Sequence, residues 1–297
     1  MVEPFRMFDV RVDRLERLSP SFLRVTFTGE DLHCFADNGF DQRLKLILPL
    51  PEHGMAHLPS GPDWYLRWRE LDSGRRNPMR TYTVRLVRPE AREVDVDVVM
   101  HPDGGPVARW AEQVRPGDIA ALFGPDSGHD GRHGGLEFRP PAGTGSVLIA
   151  GDETAVPAIC AILEQLPAGM GGEALMEVPG EHDFLDVKTS SPITVSWLAR
   201  NGGERGARLV PAVRAAADRL LPPLPVPESF DDVDVDADEL WEVPQETAAQ
   251  EPLYAWLAGE AGVIKTLRRH LVAERGMDRR SVAFMGYWRQ GRAENSE

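Results

Sequence analysis

Arg80-Thr81-Tyr82-Thr83-Val84-Arg85 decides the reading of the first half of this chain. Its threonines, tyrosine and valine favour a pleated, half-buried surface, and they predict a strand over 81–87. Further strands are expected on either side, over 5–12, 22–28, 44–48, 94–100 and 118–123. Each is β-branched or alternating and is bounded by Gly, Pro or Asp. Val94, Val96 and Val98 alternate with Asp95 and Asp97, the pattern of a strand with one buried face. A short helix is expected over 107–114. Pro106 stands near its start, where a missing N–H costs little, and Arg115-Pro116-Gly117-Asp118 ends it.

The pattern changes after Pro140-Pro141-Ala142-Gly143-Thr144-Gly145-Ser146. Strands are expected over 147–150, 174–178, 193–198, 253–258 and 282–286. Helices are expected over 154–165, 207–221 and 261–275. Strands alternating with helices predict a parallel sheet with crossover helices. The expected fold class is therefore two-domain, β plus α/β. An antiparallel β-barrel over 1–141 precedes a parallel α/β domain of nucleotide-binding type over 142–297. The stretch 222–250 interrupts the second domain with prolines and an acidic run, and reads as a surface insertion. No frame of that run supplies the alternating ligands, glycine and terminal glutamate of an EF-hand.

Composition narrows the function classes. The net charge of −14 argues against a nucleic-acid partner. Cys34 and Cys160 lie far apart and make no zinc spacing. No stretch approaches the roughly 20 apolar residues of a membrane span, and the N-terminus carries no signal-peptide pattern. A cytoplasmic protein is expected. Arg67, Arg69, Arg75, Arg76, Arg80 and Arg85 cluster in one short stretch, most of them read as a solvated surface loop.

The segment from Arg80 has a chemistry as well as a shape. A guanidinium offers a planar donor fork to a pyrophosphate. Tyr82 lies on the same side of the strand as Arg80, with a ring able to lie against an isoalloxazine. Thr83 can offer a hydroxyl or N–H to the edge of such a ring system. Three strand-to-helix turns add possible ligand contacts. They are His101-Pro102-Asp103-Gly104-Gly105-Pro106-Val107-Ala108-Arg109-Trp110-Ala111, Gly151-Asp152-Glu153-Thr154-Ala155-Val156-Pro157-Ala158 and Tyr254-Ala255-Trp256-Leu257-Ala258-Gly259-Glu260-Ala261. Helix N-termini favour anions, and strand C-termini of α/β sheets are where ligands usually bind.

Together with Gly286-Tyr287-Trp288-Arg289, these segments resemble the siderophore-interacting proteins, from about residue 5 to residue 291. That family is a FAD-binding branch of the ferredoxin-reductase-like fold that reduces ferric siderophores. The resemblance implies that Arg80, Thr81, Tyr82 and Thr83 contact FAD, with Asp97, Val99 and His101 beside it. Gly105, Pro106, Val107, Ala108 and Trp110 would shape its phosphate and adenine side, and Asp152 and Thr154 would complete the cofactor site. The family usually places a serine or threonine hydroxyl on the phosphate, where this chain has Ala108. Lys45 matches a basic position that attracts the anionic ferric siderophore, and Arg289 is expected as a second. Lys45, Lys188 and Lys265 are the only lysines in the chain.

The activity implied is FAD-dependent reduction of Fe(III) in a bound siderophore, releasing Fe(II) in the cytoplasm. No side chain is required as acid, base or metal ligand, because the cofactor carries the redox chemistry. A general NAD(P)H:flavin or quinone reductase on the same fold is an alternative, as is a non-catalytic siderophore or flavin carrier. For the electron donor, Glu177 near a strand end, followed by Glu181 and Asp183, favours NADH over NADPH. Acidic groups repel a 2′-phosphate and accept from a ribose hydroxyl. Ferredoxin is a further candidate donor.

Overall fold

The computed structural model describes residues 2–101, 105–221, 240–244 and 252–291. Its contacts divide the chain into two compact units, Met1–Leu136 and Glu137–Glu297. The first unit holds β1 (Phe5–Arg17), β2 (Phe22–Thr28), β3 (Arg43–Ile47), α1 (Trp64–Glu70), β4 (Met79–Thr83), β5 (Leu86–Arg88), β6 (Glu93–Val99), α2 (Pro106–Ala111) and β7 (Ile119–Pro125). The strands form one seven-stranded sheet in the order β4-β3-β7-β1-β2-β6-β5, and every pairing is antiparallel.

The single strand expected over 81–87 is two strands, and the break closes the barrel. β4 and β5 are neighbours in sequence but stand at opposite ends of the sheet order. The chain crosses between them at Val84-Arg85. The Val84 N–H donates to the Gln42 carbonyl beside β3, and the Arg85 N–H donates to the Asp95 carbonyl on β6. Each half thus satisfies its own neighbour, where one continuous strand would have left a ladder of amides unpaired.

Valines at 94, 96 and 98 on β6 are fully buried with Val25, Phe27 and Leu122 in the barrel interior. Burying each apolar side chain of this size is worth about 1.5–3 kcal/mol. The intervening Asp95 and Asp97 are buried too, at 3% exposure each. The exposed face expected from the alternation is covered by arginines. A second departure is α1, which falls in the arginine-rich stretch expected to be a loop. Trp64 and Trp68 lie four residues apart, on one helix face, and pack over Ile47, Met79, Ala121 and Phe123 on the barrel's outer surface. The Trp68 indole N–H donates to the Asn77 carbonyl at 3.0 Å.

The second unit holds β8 (Ser146–Gly151), α3 (Val156–Gln165), β9 (Gly171–Val178), β10 (Thr194–Ala199), α4 (Leu209–Leu220), β11 (Trp241–Glu242), β12 (Leu253–Glu260), α5 (Ala261–Arg268) and β13 (Val282–Trp288). Its six strands run in the order β10-β9-β8-β12-β13-β11, parallel except for β11. The helix expected over 261–275 is α-helical only to Arg268 and continues as a π-helical stretch, Arg269–Glu274. Helices α4 and α5 cover one face of the sheet through Val213, Ala217, Ile264 and Leu267, against Leu148, Leu257 and Phe284. From β8 the order runs one way through β9 and β10, then returns to the other side of β8 for β12 and β13. The direction therefore switches between β8 and β12, and ligands of open α/β sheets bind outside the carboxyl ends of strands at such a point. Of the expected insertion over 222–250, residues 222–239 and 245–250 lie outside the described residues, and β11 lies in the remainder. Cys34 and Cys160 form no disulfide. Among the described residues, no helix is long and apolar enough to cross a membrane.

Candidate functional site

In the first unit the site is built on the β3–β4 ladder. Lys45 pairs with Thr81, Leu46 with Arg80 and Leu44 with Tyr82. Directly paired residues share a face of the sheet, so the ladder has two surfaces. Arg80 and Tyr82 lie on the side of Leu44 and Leu46, and the half-buried Tyr82 ring packs against the barrel core. The Arg80 Nη1 donates to the Met79 carbonyl at 2.8 Å. Lys45 and Thr81 take the outward side, where the Lys45 Nζ donates to the Thr81 Oγ1 at 2.9 Å. Thr81, expected among the FAD contacts, therefore meets Lys45. Thr83 is buried opposite Arg43.

Asp97 was expected beside the cofactor, and the structure gives its carboxylate other partners. It accepts from the Arg24 Nε at 2.7 Å and the Arg24 Nη2 at 2.8 Å. The Arg85 Nε stands 3.5 Å from it. Val99 is buried two residues on, and His101 is half-buried just past the strand end. Residues 102–104 lie outside the described residues. In α2, no side chain among the described residues caps the N-terminus at Gly105, and Pro106 opens the helix. Val107 and Ala108 are buried, so this turn can offer a ligand its backbone N–H groups but not those side chains. The Trp110 ring lies parallel to Phe27, at 9° and 6.3 Å between centroids, and packs on the barrel core.

In the second unit, the strand ends at the switch point carry buried acids. The Asp152 Oδ1 accepts from the Thr154 N–H at 2.9 Å and, at 2.5 Å, from the Thr154 hydroxyl. Its Oδ2 accepts from the Glu260 N–H at 2.7 Å and the Trp288 indole N–H at 2.9 Å. One carboxylate thus ties together the ends of β8, β12 and β13. Burial pushes Asp152 up to about 6, with Glu153 beside it adding to the rise. Gly259, at φ +148°, is needed here, because a Cβ at that position would stand 2.8 Å from the Asp152 carboxyl. Asp152 and Thr154 were expected as cofactor contacts. Both side chains are engaged within the fold, and they act as a clamp on the strand ends.

Glu177 is corrected on the same grounds. It is fully buried and accepts from the backbone N–H groups of Gly206 (2.8 Å), Arg208 (2.9 Å) and Leu209 (2.8 Å). It anchors the turn into α4 and is not presented to a ribose, so Glu177 gives no support to a preference for NADH. Glu153, also fully buried, receives both Arg200 Nη groups, at 2.6 and 2.8 Å. Arg205 reaches Glu153 at 3.5 Å and lies 4.6 Å over the Trp288 ring. A cavity of about 380 Å³ opens among Gly203, Glu204, Arg205, Glu260, Val263 and Gln290. Arg200 and Arg205 were missed from the sequence. Their only local signal is the glycine-flanked Arg200-Asn201-Gly202-Gly203-Glu204-Arg205 turn after a strand. Arg289 is exposed beyond β13.

Comparison with known proteins gives this geometry its context. Residues 11–129 match the siderophore-interacting FAD-binding domain, and residues 144–291 match the siderophore-interacting protein family. The chain belongs to the siderophore-interacting protein family. It is 29% identical to the ferric vibriobactin reductase ViuB of Vibrio cholerae over 95% of this chain and 89% of that protein. It is 29% identical to the NADPH-dependent ferric-chelate reductase of Escherichia coli, over 95% of this chain and 93% of that one. A siderophore utilization protein from T. fusca has a similar structure, with a TM-score of 0.74 and 27% identity over 99% and 96% of the two chains.

The residues of the first unit fit the FAD that its domain family binds. Arg80 supplies a planar cation and Tyr82 a half-buried ring on the same side of β4. Among the described residues, nothing lies within 4 Å of where a Cβ on Gly105 would stand.

Proposed function

We propose that this chain is a FAD-dependent reductase that delivers electrons to Fe(III) in a bound ferric siderophore and releases Fe(II) in the cytoplasm. The observation that carries the reading is the β3–β4 ladder. One of its faces bears Arg80 and Tyr82, within the match to a FAD-binding domain, and the other bears Lys45 hydrogen-bonded to Thr81. The names of the Vibrio cholerae and Escherichia coli relatives, both ferric reductases, support the same activity.

Bound FAD would supply the exchange between a two-electron donor and a one-electron acceptor. The protein's part is binding and position. Arg80 would hold the pyrophosphate, Tyr82 would lie along the ring system, and Thr83 with His101 would border it. The α2 turn would meet phosphate through the backbone N–H groups of Gly105, Val107 and Ala108, since Pro106 has no N–H to give and the Ala108 side chain brings no hydroxyl. Lys45 would attract the anionic substrate, for which a chain of net charge −14 is otherwise repulsive. The proposed donor is a reduced nicotinamide dinucleotide received by the second unit, with ferredoxin as the alternative. Glu177 does not discriminate NADH from NADPH.

The purified protein should carry a flavin absorbance or take it up from added FAD. With a reduced donor it should turn over an excess of ferric siderophore, read as Fe(II) captured by a ferrous chelator. Lys45→Ala should raise KM for the ferric substrate about tenfold, the loss of one charge-assisted contact, with kcat little changed. Protein that takes up no FAD, or that stops after one equivalent of Fe(III), would sink the proposal.

A further inference from the structure

The cavity of the α/β unit lies at the carboxyl ends of its strands. Glu260 ends β12, the turn at 203–205 follows β10, and Gln290 follows β13. Its volume of about 380 Å³ suits a small-ligand site, and an open α/β sheet receives a dinucleotide at such strand ends. Its electrostatics are nevertheless unlike those of a phosphate site. The N-terminus of α5 forms part of the wall, and such a terminus ordinarily attracts an anion. Here the chain fills that position itself. The Glu260 carboxylate accepts from the Val263 N–H at 2.9 Å and from the Gln290 N–H at 3.2 Å.

Among the described residues that line the cavity, Arg205 is the cation, and it already has partners. Its Nη2 lies 3.5 Å from the Glu153 carboxylate, and its guanidinium lies 4.6 Å over the Trp288 ring. Behind it, Glu153 and Glu177 balance the charges of Arg200 and Arg205. Glu204 and Glu260 then leave the lining and its ion-pair partners with an excess of negative charge. Glu204 is exposed, and among the described residues its carboxylate has no partner. A carboxylate accepts from the hydroxyls of a ribose and repels a phosphate on its 2′ oxygen. We propose that this cavity receives the ribose diol of NADH in preference to the 2′-phosphate of NADPH, with Glu204 as the residue that determines the choice. The inference rests on the donor reading above, and it names which dinucleotide the second unit accepts.

NAD⁺ and NADP⁺ differ only in the 2′-phosphate and bring no electrons, so their binding tests the proposal without any turnover. In calorimetric titration of the full chain supplied with FAD, NAD⁺ should bind at least about tenfold more tightly than NADP⁺, the effect of one like-charge contact near a protein surface. Glu204→Gln keeps the shape of an exposed side chain and should narrow that gap by about five- to tenfold, chiefly through tighter binding of NADP⁺. Glu204→Lys should reverse the preference. Wild-type protein that binds NADP⁺ as tightly as NAD⁺ or more so, or Glu204 variants with an unchanged ratio, would overturn the proposal. Binding of neither dinucleotide, in protein that reduces ferric siderophore with ferredoxin, would also overturn it and leave the reductase reading in place. The expected ratio in protein that reduces no ferric complex would support this inference while removing the reductase reading.

Discussion

On β6 of the barrel, the buried Asp95 and Asp97 sit within a strand and face arginines from neighbouring strands. In the α/β unit, the buried Asp152, Glu153 and Glu177 sit at or just past the carboxyl ends of β8 and β9 and face backbone N–H groups as well as arginines. Asp95 and Asp97 on β6 meet Arg88 and Arg24, while Glu93, at the start of the same strand, accepts from Arg14 and Arg88. The hydrogen bond from Arg14 is the main cause that holds Glu93 down at about 2. Asp152 takes its donors from Thr154, Glu260 and Trp288, none of them charged at those atoms. Burial wins over these bonds and carries it up to about 6. The two regions therefore use acids differently. The barrel covers a polar sheet face with partly exposed arginines. The α/β unit fixes the loops of its strand ends, around the cavity, with desolvated acids that have few substitutes.

The sharpest way to break that contrast is to remove Glu177. Its carboxylate serves three amides of the turn into α4 and lies 3.5 Å from Arg200. Glu177→Ala leaves those amides and part of a buried arginine unpaired, and losses of about 3–5 kcal/mol are usual for breaking a buried ionic group. Hydrogen exchange should show the loss in the amides of β9 and α4, with β1 and β2 of the barrel unchanged. A cost under about 1 kcal/mol would mean that the second unit is no more dependent on its acids than the barrel surface is.

Acidification should divide the two regions next. Asp152 holds its proton up to about pH 6 when folded, whereas an unfolded aspartate releases it near pH 4. Between those values the folded chain binds the proton more strongly, so the contribution of Asp152 to stability falls as pH rises. The total is roughly 3 kcal/mol across that window. Glu93 has the opposite sign. Its contribution is complete above the unfolded glutamate pKa and is lost as pH falls toward about 2. Wild-type protection in β8 and β12, less that of Asp152→Asn, should therefore grow on going from pH 7 to pH 4.5. A difference that is flat or shrinks on acidification would refute the assignment.

Much of this was legible in the chain because it was local. The alternation of Val94, Val96 and Val98 marked β6, and the βα turns at Gly151 and Gly259 marked the ends of parallel strands. What escaped was set by distant partners. The break at Val84-Arg85 depends on Gln42 and Asp95 accepting from opposite sides, which no run of residues announces. Helix α1 was hidden because it opens an arginine-rich stretch, and only the barrel surface shows that its two tryptophans dock it. Glu177 looked like a ribose ligand because its position at a strand end is right. Only the fold shows that the Gly206–Leu209 amides reach it first. Of the candidate site, strand β4 could be placed from the sequence, but its division into a Tyr82 face and a Lys45 face needed the register.

The smallest expected effect probes the barrel side of the comparison. Arg14 chelates Glu93 with both Nη groups, at 2.7 and 2.9 Å, a geometry that suggests strength. Yet its side chain is 50% exposed, and Arg88 donates to the same carboxylate at 2.7 Å. Water and Arg88 would replace most of what Arg14 supplies, and salt would screen the remainder. Arg14→Ala should therefore cost no more than about 1 kcal/mol in urea unfolding of the full chain, and less in high salt. A loss of the size expected for Glu177→Ala would show that the acids of β6 depend on individual arginines. The barrel and the α/β unit would then be using buried charge in the same way.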